Sequence, residues 1–256
     1  MDEFEHIIVT QEQQWLEITL NRAASFNALS QQMMAQLQLA LDQASLTDDL
    51  TCIIIKAQGK AFCAGHDLKQ MQANNNVDYY QNLFDQCSQL MQTIVQCPIP
   101  VIAQVQGVAT AAGCQLVATC DLAVASQDAR FAVSGINIGL FCSTPAVALS
   151  RNIQPKKAME MLLTGEFISA TEAQQQGLVN RVVPAEDLTQ TSRDLAATIS
   201  SKAKVAVRTG KAMFYPQLNM DLPQAYQFAA EHMVCNLMTP ETQHGLDAFV
   251  NKKPKG

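Results

Sequence analysis

Residues 52–56 read Cys-Ile-Ile-Ile-Lys, and residues 101–105 read Val-Ile-Ala-Gln-Val. Runs this short and this apolar suit strands covered on both faces, not strands with one wet side. Covering both faces requires helices packed against the sheet. Residues 77–96 supply one, with Tyr80, Leu83, Phe84, Cys87, Leu90, Met91, Ile94 and Val95 at helical spacing. Pro98 and Pro100 stop it before the second strand begins. Strands alternating with helices in this way predict an α/β fold.

The same reading extends outward. Residues 15–20 partly alternate and carry aromatic and β-branched types, so they read as a strand, with 7–10 as a hairpin partner. Ser30 is placed to cap a helix whose buried face is Met33, Leu37, Leu41 and Ala44. Residues 59–65 read as a loop, 109–119 as a small apolar buried helix, and 122–125 as a strand. From Pro145 onward helices are expected at 145–152, 155–163, 170–176, 185–200, 203–215, 222–236 and 240–251. The expected division is an α/β core over residues 1–200 and a helical C-terminal region over 201–256.

Composition narrows the function classes. The chain has 256 residues, 48% hydrophobic and 16% charged, which suits a buried core and argues against disorder. A net charge of -6 argues against a nucleic-acid partner, since phosphate binding needs clustered Lys and Arg. The cluster Lys252-Lys253-Pro254-Lys255 reads as a solvated tail within reach of a phosphate. Eight Cys without a CxxC pair and four His far apart give no grouped ligands, so no metal site is expected. The thiols read as reduced and packed. The N-terminal residues are acidic and lack a leader pattern, and no apolar run reaches membrane-spanning length. These features lead to the expectation of a cytoplasmic protein with no membrane partner.

Two loops carry the chemistry. Lys60-Ala61-Phe62-Cys63-Ala64-Gly65-His66-Asp67-Leu68 follows the first buried strand and should lead into a short helix. Residues 107–116, Gly-Val-Ala-Thr-Ala-Ala-Gly-Cys-Gln-Leu, follow the second and enter the small apolar helix. Small residues let backbone approach a ligand closely. A helix start offers unpaired N–H groups and the positive end of the helix dipole. Two such N–H groups aimed at one point stabilise an oxyanion. Neither loop ends in the Gly-Lys-Ser/Thr of a P-loop, and no G-x-G-x-x-G is present.

These stretches resemble the enoyl-CoA hydratase/isomerase, or crotonase, family over nearly the whole chain. Asn21-Arg22 and Asn27-Ala28-Leu29 begin the similarity. Residues 61–68, 111–121, 162–166 and 177–183 continue it, and Gly245-Leu246-Asp247-Ala248-Phe249 closes it. Residues 65–69, 110–117 and 139–145 look like one particular branch of that family. The resemblance implies a spiral of ββα repeats with a helical C-terminal region that builds a homo-oligomer, a trimer or a dimer of trimers. It implies an acyl-CoA substrate, with coenzyme A entering as part of the substrate and no separate cofactor. By position, the oxyanion donors are the N–H groups of His66 and Ala112. Lys60, Ala61, Ala64, Asp67 and Leu68 line the nucleotide and pantetheine path, and Phe249 and Lys252 match positions that reach a neighbouring subunit's nucleotide.

The chain departs from the family at the acid–base positions. Family hydratases use two glutamates, and the matching positions here are Gln115 and Gly135. General acid–base catalysis contributes roughly 10²–10⁴-fold, so ordinary hydration is expected to be weak. Ala24 stands where many relatives carry a Lys toward the CoA phosphates, which shifts that task to Arg22 or Lys252. Asn137, Cys142 and Ser143 are expected near the acyl end, and Asp67 is expected to cap the turn that follows it. Among side chains, His66 ranks first as a proton-transfer group because an imidazole titrates near neutrality. The resulting expectations are an enzyme acting through a stabilised thioester enolate, a non-catalytic acyl-CoA-binding or scaffold protein, or a hydratase with unusual acid–base groups.

Overall fold

The computed structural model describes residues 4–12 and 14–251. Strands β1 (Ile7–Glu12) and β2 (Trp15–Leu20) form the antiparallel hairpin, and α1 (Gln31–Ser45) follows. Ser30 caps α1, its hydroxyl accepting from the Met33 N–H at 3.1 Å. The chain then runs β3 (Cys52–Ala57), β4 (Ala61–Cys63), α2 (Leu68–Ala73) and α3 (Val77–Gln96). A second turn comprises β5 (Val101–Val105), β6 (Val108–Thr110) and α4 (Ala112–Thr119). A third comprises β7 (Leu122–Ser126), β8 (Arg130–Ala132) and α5 (Ser143–Asn152). There follow α6 (Pro155–Thr164), β9 (Ile168–Ser169), α7 (Ala170–Gln175), β10 (Arg181–Val183) and α8 (Leu188–Ser200). The last described elements are α9 (Lys204–Gln217), α10 (Leu222–Leu237) and α11 (Pro240–Val250).

Each turn gives one strand to each of two sheets. The six-stranded sheet has the order β1-β2-β3-β5-β7-β10, and the four-stranded sheet has the order β4-β6-β8-β9. Apart from the hairpin and the β8–β9 pair, neighbours are parallel. This is the expected spiral of ββα repeats.

The apolar strand runs work by period two. Ile53 and Ile55 of β3 face the main core, while Cys52 and Ile54 face a second cluster with Leu188 and Ala196 of α8. β5 and β7 divide the same way, with Ile102 and Val124 turned to α8. The inner strands β3, β5 and β7 are therefore buried on both faces, as the apolar runs imply. A buried ion pair fastens α9 to this core. Lys211 donates to Asp121 at 2.6 Å and to the Ile94 and Ile99 carbonyls at 2.9 and 3.0 Å. The Tyr215 hydroxyl donates to the other Asp121 oxygen at 2.7 Å.

The structure corrects two local expectations and adds a strand that no expectation covered. Residues 59–65 contain β4, residues 108–110 form β6 before the helix begins at Ala112, and residues 181–183 form the sheet-edge strand β10. Three-residue strands show no periodicity of their own and exist through the neighbours they pair with. All eight cysteines are free thiols, seven buried and Cys235 exposed.

Candidate functional site

Three glycines hold the two loops against each other. A Cβ on Gly113 would lie 2.1 Å from the Cys63 carbonyl oxygen, and one on Gly107 would lie 2.0 Å from that of Lys60. Gly65 has φ +93, and a Cβ there would lie 2.8 Å from the Ala111 Cβ and 3.3 Å from the Ala112 nitrogen. The backbones can come this close only because these positions carry no side chain. Ala111 itself adopts φ 50, a left-handed value unusual for alanine. Its own N–H is used by the Ala132 carbonyl at 3.0 Å.

This nesting leaves two backbone donors free. Leu29 pairs with His66 as an isolated parallel bridge. Leu29 donates to the Gly65 carbonyl at 2.7 Å, and the Asp67 N–H donates to the Leu29 carbonyl at 3.3 Å. In that register the His66 N–H points to the opposite side. It meets no acceptor among the described residues. Ala112 is the first residue of α4, so its N–H has no partner within the helix, and Ala111 supplies no side-chain cap.

Both residues line a cavity of about 350 Å³. Ala64, Leu68 and Gly135 also line it. Met71 of α2, Phe84 of α3 and the loop residues Leu140, Phe141 and Cys142 complete a mostly apolar wall. Phe84 stood in the sequence only as one of many helix positions with core spacing, and Met71 carried no signal. Of the expected acyl-end residues, Cys142 and Ser143 reach the cavity. Asn137 instead packs beside Gly165, where an added Cβ would lie 2.9 Å from its Nδ2.

Neither of the two positions expected for acid–base groups has room for a carboxylate at the cavity. Gln115 is buried, with its amide oxygen 4.0 Å from the Cys87 thiol, and it does not line the cavity. Gly135 does line it, but a Cβ there would lie 2.6 Å from the Leu140 carbonyl oxygen and 2.7 Å from Cys142 Sγ. The 135–140 turn is closed by the Leu140 N–H donating to the Gly135 carbonyl at 3.0 Å. Burial raises the Cys142 thiol above its ordinary range, against activation as a nucleophile.

His66 is partly exposed as a residue, yet both ring nitrogens are shut off from solvent and without a hydrogen-bond partner. Its ring meets Phe84 edge-on at 5.5 Å. Loss of solvation lowers its pKa from 6.5 to about 4, against a weaker upward pull from the Leu29 carbonyl, which does not reach hydrogen-bonding geometry. The ring is therefore neutral at pH 7.

The remaining expected ligand residues divide. Asp67 caps α2, accepting from the Lys69 and Gln70 N–H groups at 3.1 and 3.3 Å. Burial raises its pKa and the Arg22 and cap bonds lower it, with the net shift downward. The Arg22 guanidinium is held by Asp67 at 3.0 Å and by the Ala28 carbonyl at 2.7 Å, so it braces the loop. The Ala61 carbonyl accepts from Asn27 and Gln106 at 2.8 and 3.0 Å. Lys60 and Phe249 are exposed, and Lys252 lies outside the described residues.

Comparison with known proteins agrees with this geometry. Residues 10–255 match the family model for enoyl-CoA hydratase/isomerase. The rat enoyl-CoA hydratase domain-containing protein 3 is 47% identical over 92% of this chain and 79% of its own. The human protein of that name has been solved, with TM-score 0.94 and 44% identity over 98% of this chain and all of that one. An enoyl-CoA hydratase structure from Mycobacterium smegmatis gives TM-score 0.95 and 49% identity over 98% of both chains. The rat and human proteins are named mitochondrial, which corrects the expected cytoplasmic location. That expectation rested on a missing leader pattern, and an absence in one stretch does not set a compartment. The branch is the one that residues 65–69, 110–117 and 139–145 resembled. A spiral of ββα turns, two free N–H groups at an apolar cavity and a match across almost every residue lead to one conclusion: the chain belongs to the enoyl-CoA hydratase/isomerase family.

Proposed function

We propose that the chain binds an acyl-CoA thioester with its carbonyl oxygen between the N–H groups of His66 and Ala112, and processes it through a stabilised enolate. The observation that carries this reading is the nesting of Gly65 against Ala111 and Ala112, which sets two unpaired donors at the wall of one apolar cavity. Each donor of such a pair contributes roughly 3–4 kcal/mol to a developing oxyanion. Ala64 and Leu68 beside them suit the pantetheine path, and Lys60 and Phe249 are exposed where a nucleotide would reach them.

Ordinary hydration is proposed to be weak, since neither Gln115 nor Gly135 presents a carboxylate. Isomerisation or decarboxylation, which ask less of protein carboxylates, fit better. The exposed apolar residues Tyr226, Met233, Val234 and Leu237 on α10 support self-association, as a trimer or a dimer of trimers. A second reading, acyl-CoA binding without catalysis, is favoured by the crowding at Gly135. Titration calorimetry with butyryl-CoA against free CoA tests the site. Tighter binding of the acyl form supports it, and equal binding sinks it. Turnover of crotonyl-CoA above about 1 s⁻¹, a low-end enzyme rate, would show that the acid–base reading is wrong.

A further inference from the structure

Beside the cavity lies a polar group that its own protein leaves unsatisfied. His66 lines a mostly apolar cavity, while its two ring nitrogens are closed to solvent and without a hydrogen-bond partner. Orphaned polar groups of this kind are uncommon in folded proteins and disfavour the empty state. Two of the hydroxyls on the wall are already engaged. Ser134 Oγ pairs with Thr110 Oγ1 at 2.8 Å, and Ser143 Oγ donates to the Phe141 carbonyl at 3.4 Å. Among the described residues the His66 ring meets the Phe84 edge at 5.5 Å and the Leu29 carbonyl short of hydrogen-bonding geometry. The torsion to a flat ring is broad and roughly two-fold, so a half-turn of the ring is the motion that would bring a nitrogen toward the cavity.

We propose that the His66 side chain is a specificity-determining contact for acyl groups bearing a neutral hydrogen-bonding substituent, a hydroxyl above all. This rests on the acyl-CoA reading above. With its backbone N–H on the thioester oxygen, the residue holds its ring near the first few carbons of the acyl chain. A neutral imidazole offers one donor and one acceptor, which matches a hydroxyl and not a carboxylate. The depressed pKa keeps the ring in that neutral form across the physiological range. Sites built around a polar contact reject analogues that lack it far more strongly than apolar pockets reject size differences.

The test is calorimetry of the full chain with butyryl-CoA, the 2-, 3- and 4-hydroxybutyryl-CoAs and free CoA, on wild type, His66→Leu and His66→Gln. At least one hydroxyacyl-CoA is expected to bind wild type about tenfold or more tighter than butyryl-CoA. That ratio falls to about one in His66→Leu, and His66→Gln, which keeps a donor and an acceptor, restores part of it. Equal affinities for butyryl-CoA and every hydroxyacyl-CoA in wild type overturn the proposal while leaving the thioester site intact. So does a preference that survives in His66→Leu. Acyl-CoAs that bind no better than free CoA overturn the thioester site itself, and this proposal with it.

Discussion

The α-carbon of Gly135 faces the Leu140 carbonyl so closely that a Cβ would begin 2.6 Å from its oxygen. The position that carries a glutamate in family hydratases is therefore closed by this chain's own loop. Restoring the carboxylate by Gly135→Glu should not restore hydration. The loop must shift, at an overpacking cost of about 1–3 kcal/mol. The variant should melt several degrees lower, with crotonyl-CoA turnover no higher than wild type. A rise of tenfold or more, alone or with Gln115→Glu, would show that the loop yields easily.

Gly65→Ala should separate the two donors. Its φ of +93 strains any side chain, and the new methyl meets Ala111 at 2.8 Å. Gly177→Ala is the control, with φ +87 but no neighbour nearer than the Asn152 carbonyl at 3.4 Å. Both should lose about 1–3 kcal/mol of stability from the backbone alone. Only Gly65→Ala should also weaken butyryl-CoA binding, by tenfold or more in calorimetry.

The buried His66 predicts an acid-sensitive fold. Its folded pKa of about 4 lies below the ordinary 6.5, so between those values the unfolded chain holds the extra proton. Stability is unaffected by this group above about pH 6.5, falls as pH drops toward 4, and then levels. At 1.36 kcal/mol per unit the loss is roughly 3 kcal/mol at most. Urea melts from pH 7.5 to 4 should show a steeper decline for wild type than for His66→Leu. Parallel curves would exclude the histidine as the cause.

Lys211→Met should be costly although it is remote from the cavity. It strands Asp121, which would keep only the Val101 N–H at 2.7 Å and the Tyr215 hydroxyl. Breaking a buried pair from one side typically costs 3–5 kcal/mol. Denaturant unfolding should show that loss. The double variant Lys211→Met with Asp121→Asn should recover part of it, because no unpaired charge remains.

Legibility followed length and locality. The twenty residues of α3 repeat an amphipathic pattern often enough to be bounded correctly from sequence. The double-sided burial of β3 and β5 was written in their short, nearly continuous apolar runs. β4, β6 and β10 are three residues each and become strands only through distant partners, so nothing local announces them. The two donors were legible because each sits in a short contiguous motif. The Phe84 and Met71 wall comes from helices that read as ordinary core. The Arg22–Asp67 pair spans 45 residues, and the Leu140 carbonyl over Gly135 is a property of the folded turn. Those contacts depend on where the chain returns, which residue identity does not state.

Seven thiols are buried, and Cys235 of α10 is the exposed one. That distribution makes the molecule a self-contained reporter. Burial raises Cys52, Cys63, Cys87 and Cys114 to about 12, so an alkylating reagent reaches them only when their layers open. Cys235, beside the exposed Val234, would be tagged at once in a lone subunit and shielded wherever a second copy covers that helix. Mass spectrometry of a timed alkylation would therefore tell whether a second copy covers α10, and separate that from unfolding, without any introduced label.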